Sequence, residues 1–168
     1  MRRFIITITA VVFSIGATFA QKYIVVDSEK IFRSIAEYNS AITTLDGMAK
    51  EYQQKVDKVY AEVESLYNAY ISQKQSLSVA SQQAKEQEIL DKERKVAEYQ
   101  QSVFGNDGLI MKKRIELIQP IQNRVFAAID SYAKAGGYDL VLDKASNATM
   151  LYCSDAVDHT TKIIELLK

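Results

Sequence analysis

The sequence predicts an α+β chain in which a long antiparallel helical hairpin projects from a small β-sheet body built from N- and C-terminal strands. Three observations predict it. Apolar residues recur alternately every four and three positions from Leu45 to Tyr70. Short blocks of β-branched and aliphatic residues, Tyr23-Ile24-Val25-Val26 and Leu140-Val141-Leu142, lie towards the two ends. The stretch between them contains the single proline of the chain and few glycines, a composition that favours uninterrupted helix.

Residues 1–20 read as an export signal rather than as part of the fold. Arg2 and Arg3 precede the apolar run Phe4–Phe13, and Thr18-Phe19-Ala20 places small side chains where a signal peptidase inspects the chain. The alternative, a membrane anchor, needs about 20 apolar residues to span a bilayer. The run here is shorter, so cleavage after about Ala20 is expected, leaving Gln21 first. Without the two leader arginines, 19 basic residues face 21 acidic ones. A chain this close to neutral has no basic excess with which to hold nucleic acid. The sole cysteine, Cys153, has no partner within the chain, so stability must come from packing or assembly.

The first element of the mature chain is the strand Tyr23–Val26, buried on both faces by its composition. Asp27 or Ser28 then caps a helix carrying Ile31, Phe32 and Ile35 on one side. Residues 39–118 form the hairpin. Its first arm carries the seam Leu45, Ala49, Tyr52, Val56, Val59, Val63, Leu66 and Tyr70. A seven-residue repeat with two apolar positions keeps one narrow stripe against a partner helix, and Glu51–Lys55 supports the opposite face. The pattern fades at 72–81, which marks the tip. It returns through Ile89, Val96, Tyr99 and Val103, with Glu88–Lys92 and Asp91–Lys95 as expected pairs.

If the turn lies near residue 77, Gly105 and Gly108 come opposite Gly47. Glycine is costly inside helices, so glycines on both arms suggest a hinge; a plain loop is the alternative. Helical periodicity resumes through Ile115, Ile118, Ile121, Val125, Ile129 and Tyr132. Pro120 is expected to kink or restart that helix, and Gly136-Gly137 to end it.

Two strands are expected next, Tyr138–Asp143 and Ala148–Cys153, followed by a capped helix from Asp155 to Lys168. The simplest closure joins Tyr23–Val26 to both in one sheet. Residues 21–38 and 119–168 thus form the body, with Ile24, Val26, Leu140, Leu142 and Leu151 as its strand residues. So small a core is marginal alone, which predicts self-association.

This order of elements resembles the Skp/OmpH-like periplasmic chaperones. The resemblance rests on Tyr23-Ile24-Val25-Val26-Asp27 after a signal peptide, on Gly137-Tyr138-Asp139-Leu140-Val141-Leu142-Asp143, and on Asp158-His159-Thr160 followed by Ile163, Leu166 and Leu167; Pro120-Ile121 matches a Pro-Ile pair entering the last long helix. It implies a homotrimer with a β-rich body and three helical tentacles around a cavity, holding unfolded outer-membrane proteins without ATP. The best-known members are strongly basic and this chain is slightly acidic. No lipid-binding residues are therefore carried over, and contact with membrane or lipopolysaccharide stays open.

A holdase needs many weak apolar contacts that add through high effective concentration, and tyrosine suits that role. Tyr52, Tyr60, Tyr67 and Tyr70 lie on the first arm and are the candidates for client contact, with packing at the seam edge as the alternative. No catalytic, metal-binding or cofactor-binding constellation is expected. His159 is the only histidine, and Asp158 and Thr160 beside it suit a helix cap. Gly105-Asn106-Asp107-Gly108 lacks the lysine of a phosphate loop. The rival function is an envelope coiled-coil adaptor that docks one partner through its hairpin tip.

Overall fold

The computed structural model describes residues 22–146 and 150–168. The expected signal segment, its cleavage point and residues 147–149 lie outside them. The elements are β1 (Tyr23–Val26), α1 (Ser28–Arg33), α2 (Ala36–Gln73), α3 (Val79–Phe104), α4 (Leu109–Gly136), β2 (Leu140–Asp143) and α5 (Thr160–Leu166), with a 3-10 turn at Lys74–Ser76. The long hairpin and small sheet of the predicted class are present.

α2 is a single helix of 38 residues, about 57 Å long at 1.5 Å per residue. It runs unbroken through Gly47. The returning arm instead consists of two helices. α3 packs on the outer half of α2 and α4 on its base, where Ala41, Leu45 and Ile118 form one buried cluster. Near the tip Val63, Tyr70 and Ile89 form another. Between them Val56, Val96 and Val103 are buried in the same seam. Burial thus repeats along one line while flanking Asp, Glu, Lys and Gln remain exposed, as a two-helix seam requires.

The break in the returning arm is Gly105–Gly108. A β-carbon on Gly108 would lie against the Val103 carbonyl oxygen, far inside contact distance, so the chain turns there only because that atom is missing. At the far end of α4, Gly137 adopts the left-handed conformation (φ 62°, ψ 40°). The N–H of Gly137 bonds Lys134 O and that of Tyr138 bonds Ala133 O, a Schellman ending that only glycine enters without strain.

Two sequence expectations are corrected here. α4 continues through Pro120 without a restart. Proline removes one backbone donor from the helix interior, and Ile118 and Ile121 on either side are buried against α2 and the body, which keeps the segment packed across the missing bond. Nor is there a strand at residues 150–153. β1 already has both edges occupied. β2 lies parallel along one, in the register Tyr23↔Leu140 to Val26↔Asp143. On the other, Val25 N–H donates to Val157 O (2.8 Å) and His159 N–H donates to Val25 O (2.9 Å). The β1 edge expected to take Met150–Cys153 is thus held by Val157 and His159, and Leu151 and Tyr152 are 96% and 84% exposed.

The body core collects Val26, Ile31, Ile35, Ile121, Val125 and Ile163 from five segments. The parallel β1–β2 pair needs a crossover, and the entire hairpin serves as that crossover. Closing the sheet therefore closes the base of the arm.

Candidate functional site

Two sets of residues stand out, one polar and one apolar. The polar set lies in the body and is assembled from the sequence motifs at the two ends. Asp27 caps α1, its Oδ1 accepting from Lys30 N–H at 2.9 Å. Its own N–H donates to Thr160 Oγ1 at 2.9 Å. Ser28 is not the cap. Its N–H and hydroxyl donate to the two oxygens of Asp143, at 3.0 and 2.6 Å. Asp158 Oδ1 accepts from both Thr160 N–H (2.9 Å) and Thr160 Oγ1 (2.5 Å), while Lys144 Nζ donates to Asp158 Oδ2 at 2.6 Å.

The electrostatics follow from those partners. Burial alone would raise the Asp158 carboxyl, but the Lys144 ammonium and the two Thr160 donors outweigh it and hold the group at about 2. Burial would raise Asp143 too, but hydrogen bonds from Ser28, Ala145 and Ser146 outweigh it and lower its pKa. His159 is buried under Tyr132 and Tyr138, with Tyr132 Oη 2.8 Å from Nδ1. Burial, reinforced by the nearby Lys162 charge, lowers its pKa. These carboxylates are fully engaged in closing the body. Among the described residues no group of acidic, histidine or cysteine side chains is arranged to hold a metal ion. No described helix is long and apolar enough to cross a membrane.

The apolar set lies on the outer half of the arm. Tyr60, Tyr67 and Ile71 of α2 are 42%, 52% and 49% exposed, and Leu90 of α3 is 57% exposed. Spacings of seven and four residues place the first three on one helix face. Leu90 and Tyr67 line the same groove with Ile71, Ile89 and Tyr70, which makes the stripe continuous across both helices. Across the hairpin, Tyr60 Oη reaches Gln100 Oε1 only at 3.5 Å, the outer limit of a hydrogen bond. The seam beneath the stripe is already filled by Val56, Val63, Tyr70, Ile89 and Val96, all buried.

The four candidate tyrosines therefore divide. Tyr60 and Tyr67 face solvent. Tyr52 is half-buried, edge-on to Tyr99 (6.5 Å, 67°) with Lys55 Nζ 5.2 Å from its ring centre. Tyr70 is buried; its hydroxyl donates to Glu86 and Lys74 Nζ lies 5.2 Å from its ring. That bond to a carboxylate raises the Tyr70 pKa. Tyr70 thus locks α2 to α3 just inside the tip. Of the seam residues, Leu45, Val56 and Val63 are buried, and Ala49, Val59 and Leu66 are half-buried. Ile71 and Leu90 were not singled out from sequence. Their signal was an apolar residue lying off the seven-residue repeat, Ile71 one turn beyond Tyr67 and Leu90 directly after the seam residue Ile89.

Of the strand residues, Ile24 and Val26 are buried, Leu142 is half-buried, and Leu140 and Leu151 face outward. The glycines named for a hinge are not equivalent. Gly105 and Gly108 flank the break between α3 and α4, while Gly47 lies inside continuous α2 with open space around it. The expected Glu88–Lys92 and Asp91–Lys95 pairs are replaced. Glu88 pairs with Lys85 (2.8 Å), Asp91 with Arg94 (2.9 Å), and Lys92 reaches across the hairpin to Glu62 (3.0 Å). Only the folded hairpin offers Lys92 that second carboxylate.

Comparison with the curated proteins gives no match. A family model described as outer membrane protein (OmpH-like) matches residues 22–167, from the residue before β1 to the residue after α5. The match covers both the motif-bearing body and the seam-built arm, and on it the chain belongs to the OmpH-like family.

Proposed function

We propose that this chain is an ATP-independent periplasmic holdase that keeps unfolded outer-membrane proteins from aggregating. The observation that carries the reading is the exposed stripe Tyr60, Tyr67, Ile71 and Leu90 on a hairpin whose own seam is complete without it. Rigid aromatic and aliphatic side chains displayed in this way give weak, unspecific contacts that add along an extended client. Membership of a family of periplasmic chaperones for outer-membrane proteins supports the same reading.

Assembly into a trimer through the body is part of the proposal. Tyr23, Leu140, Leu151, Tyr152 and Leu166 are all exposed in the single chain, and apolar groups left outward on so small a body favour cover by other copies. Three arms would then rise side by side and surround a client.

The test is light scattering of an unfolded β-barrel membrane protein diluted with and without the purified mature chain, whose mass is determined alongside. Suppressed aggregation by a species near three times the monomer mass is expected. A stable oligomer that leaves aggregation unchanged would contradict the holdase reading and favour the adaptor, whose partner would be lost on altering residues 72–81.

A further inference from the structure

We propose that the stripe selects unfolded segments in which aromatic or aliphatic residues are interleaved with lysine or arginine, over segments interleaved with acidic residues. The inference rests on the holdase reading and names the client chemistry that the same surface favours.

It comes from the charges that flank the stripe. On α2, Asp57 lies three residues before Tyr60, and Glu64 lies between Tyr60 and Tyr67, four residues after one and three before the other. Helical spacing puts both on the stripe's side of the helix. On α3, Glu86 and Glu93 lie four residues before and three after Leu90, and both line the groove with Tyr67 and Ile71. Two cations are close by, and each is already engaged. Lys74 Nζ is 3.3 Å from Glu86 Oε1. Arg94, one turn beyond Leu90, is held by Asp91 at 2.9 Å and by Glu98 at 4.0 Å.

Three carboxylates are left over. Among the described residues Asp57, Glu64 and Glu93 make no ion pair, and Asp57 accepts only the Gln53 amide, at 2.7 Å. Of the other lysines along these stretches, Lys55 is paired with Glu51 (2.6 Å), Lys85 with Glu88 (2.8 Å) and Lys92 with Glu62 (3.0 Å); Lys58 and Lys95 make no ion pair, but each lies two residues from Tyr60 or Glu93 and so on another side of its helix. A client ammonium or guanidinium beside an apolar side chain would meet an unpaired carboxylate next to Tyr60, Tyr67 or Leu90. A client carboxylate there would meet only repulsion. Each such pair is exposed and weak, but a client crossing the stripe meets several, and their sum decides between otherwise equal segments.

The experiment uses the mature chain and two unstructured fluorescent peptides with the same aromatic and aliphatic residues, one interleaved with lysine and the other with glutamate. Anisotropy titrations are run at low and at physiological ionic strength. The lysine peptide is expected to bind about 3- to 10-fold more tightly at low salt, with the gap narrowing as screening rises. The double variant Glu64→Gln, Glu93→Gln should lose most of that gap, while Glu165→Gln in the body should keep it; circular dichroism checks that each variant remains helical. Equal binding of the two peptides, or a preference for the glutamate peptide, overturns the selectivity and leaves the stripe standing as a client surface. Binding of neither peptide overturns the client surface, and the selectivity with it.

Discussion

The body and the arm are built on opposite principles. In the body, a few side chains each have several partners. Asp143 alone receives the backbone and hydroxyl of Ser28, the backbone of Ala145 and the hydroxyl of Ser146. Its ion pair, Lys144–Asp158, is the least exposed among the described residues, at 32% and 22%. In the arm, the same kind of apolar contact repeats every few residues, and the ion pairs lie in solvent. A structure of unique contacts fails when one is removed. A structure of repeated contacts loses a little at a time, and it can leave apolar groups unused on its surface. The body is therefore suited to fixing geometry and the arm to display.

That contrast can be broken most forcefully in the seam. Replacing both Val59 and Val63 with Asp places two charges on the contact line of α2, where burying them is costly. The outer arm should unzip, with a clear loss of helicity at 222 nm by circular dichroism. Unchanged helicity and melting would contradict the seam.

The next largest effect belongs to the body. Ile163 is fully buried in the core shared by β1, α1, α4 and α5, and Ile163→Ala should cost about 2–5 kcal/mol in chemical denaturation. The outer arm should keep its amide protection at denaturant concentrations where the body has lost it. Asp143→Ala removes the acceptor of both Ser28 bonds and should cost about 1–3 kcal/mol, localised by amide exchange to β1 and α1.

A gentler lever is pH. His159 has a folded pKa below its ordinary 6.5, through burial and the Lys162 charge, so the unfolded chain takes up its proton first as pH falls. Stability from that group is full above pH 6.5 and declines below it. Asp158, ordinarily at 3.8 and held at about 2, stabilises above 3.8 and loses its contribution as pH falls from there towards 2. The body should melt earlier on acidification than the arm, in two steps, and His159→Gln should remove the upper one. The smallest effect is expected from Lys92→Ala, which ends the cross-arm pair with Glu62. Exposed pairs of this kind contribute little and are screened by salt, so its melting temperature should be close to that of the unmutated chain and converge with it at high ionic strength.

The same contrast explains what the sequence made legible. The seam could be read because the repeat is a property of neighbours along the chain, and its fading at Ser72–Ser78 located the turn that forms at Lys74–Leu77. The body motifs could be recognised, but not what they do. Nothing local says that Ser28 bonds Asp143 across 115 positions, or that Tyr132 and Tyr138 enclose His159. The expectation of a second C-terminal strand failed for a related reason. Met150–Cys153 has strand-like composition, but the edge it needed is taken by Val157 and His159. Lys92 turned away from Glu88 because a carboxylate from the other helix was near enough to compete. The exposed stripe was half visible: Tyr60 and Tyr67 stood beside the repeat, while Ile71 and Leu90 became part of it only once the two helices were placed together.

The central claim is that clients bind the outer arm while the body only assembles and orients it. Amide hydrogen exchange on the mature chain, alone and holding an unfolded β-barrel membrane protein, tests this most directly. Added protection is predicted over residues 57–71 and 86–100, with the body segments 22–33 and 138–168 unchanged. Protection gathered in the body, or confined to residues 72–81 at the tip, would contradict it.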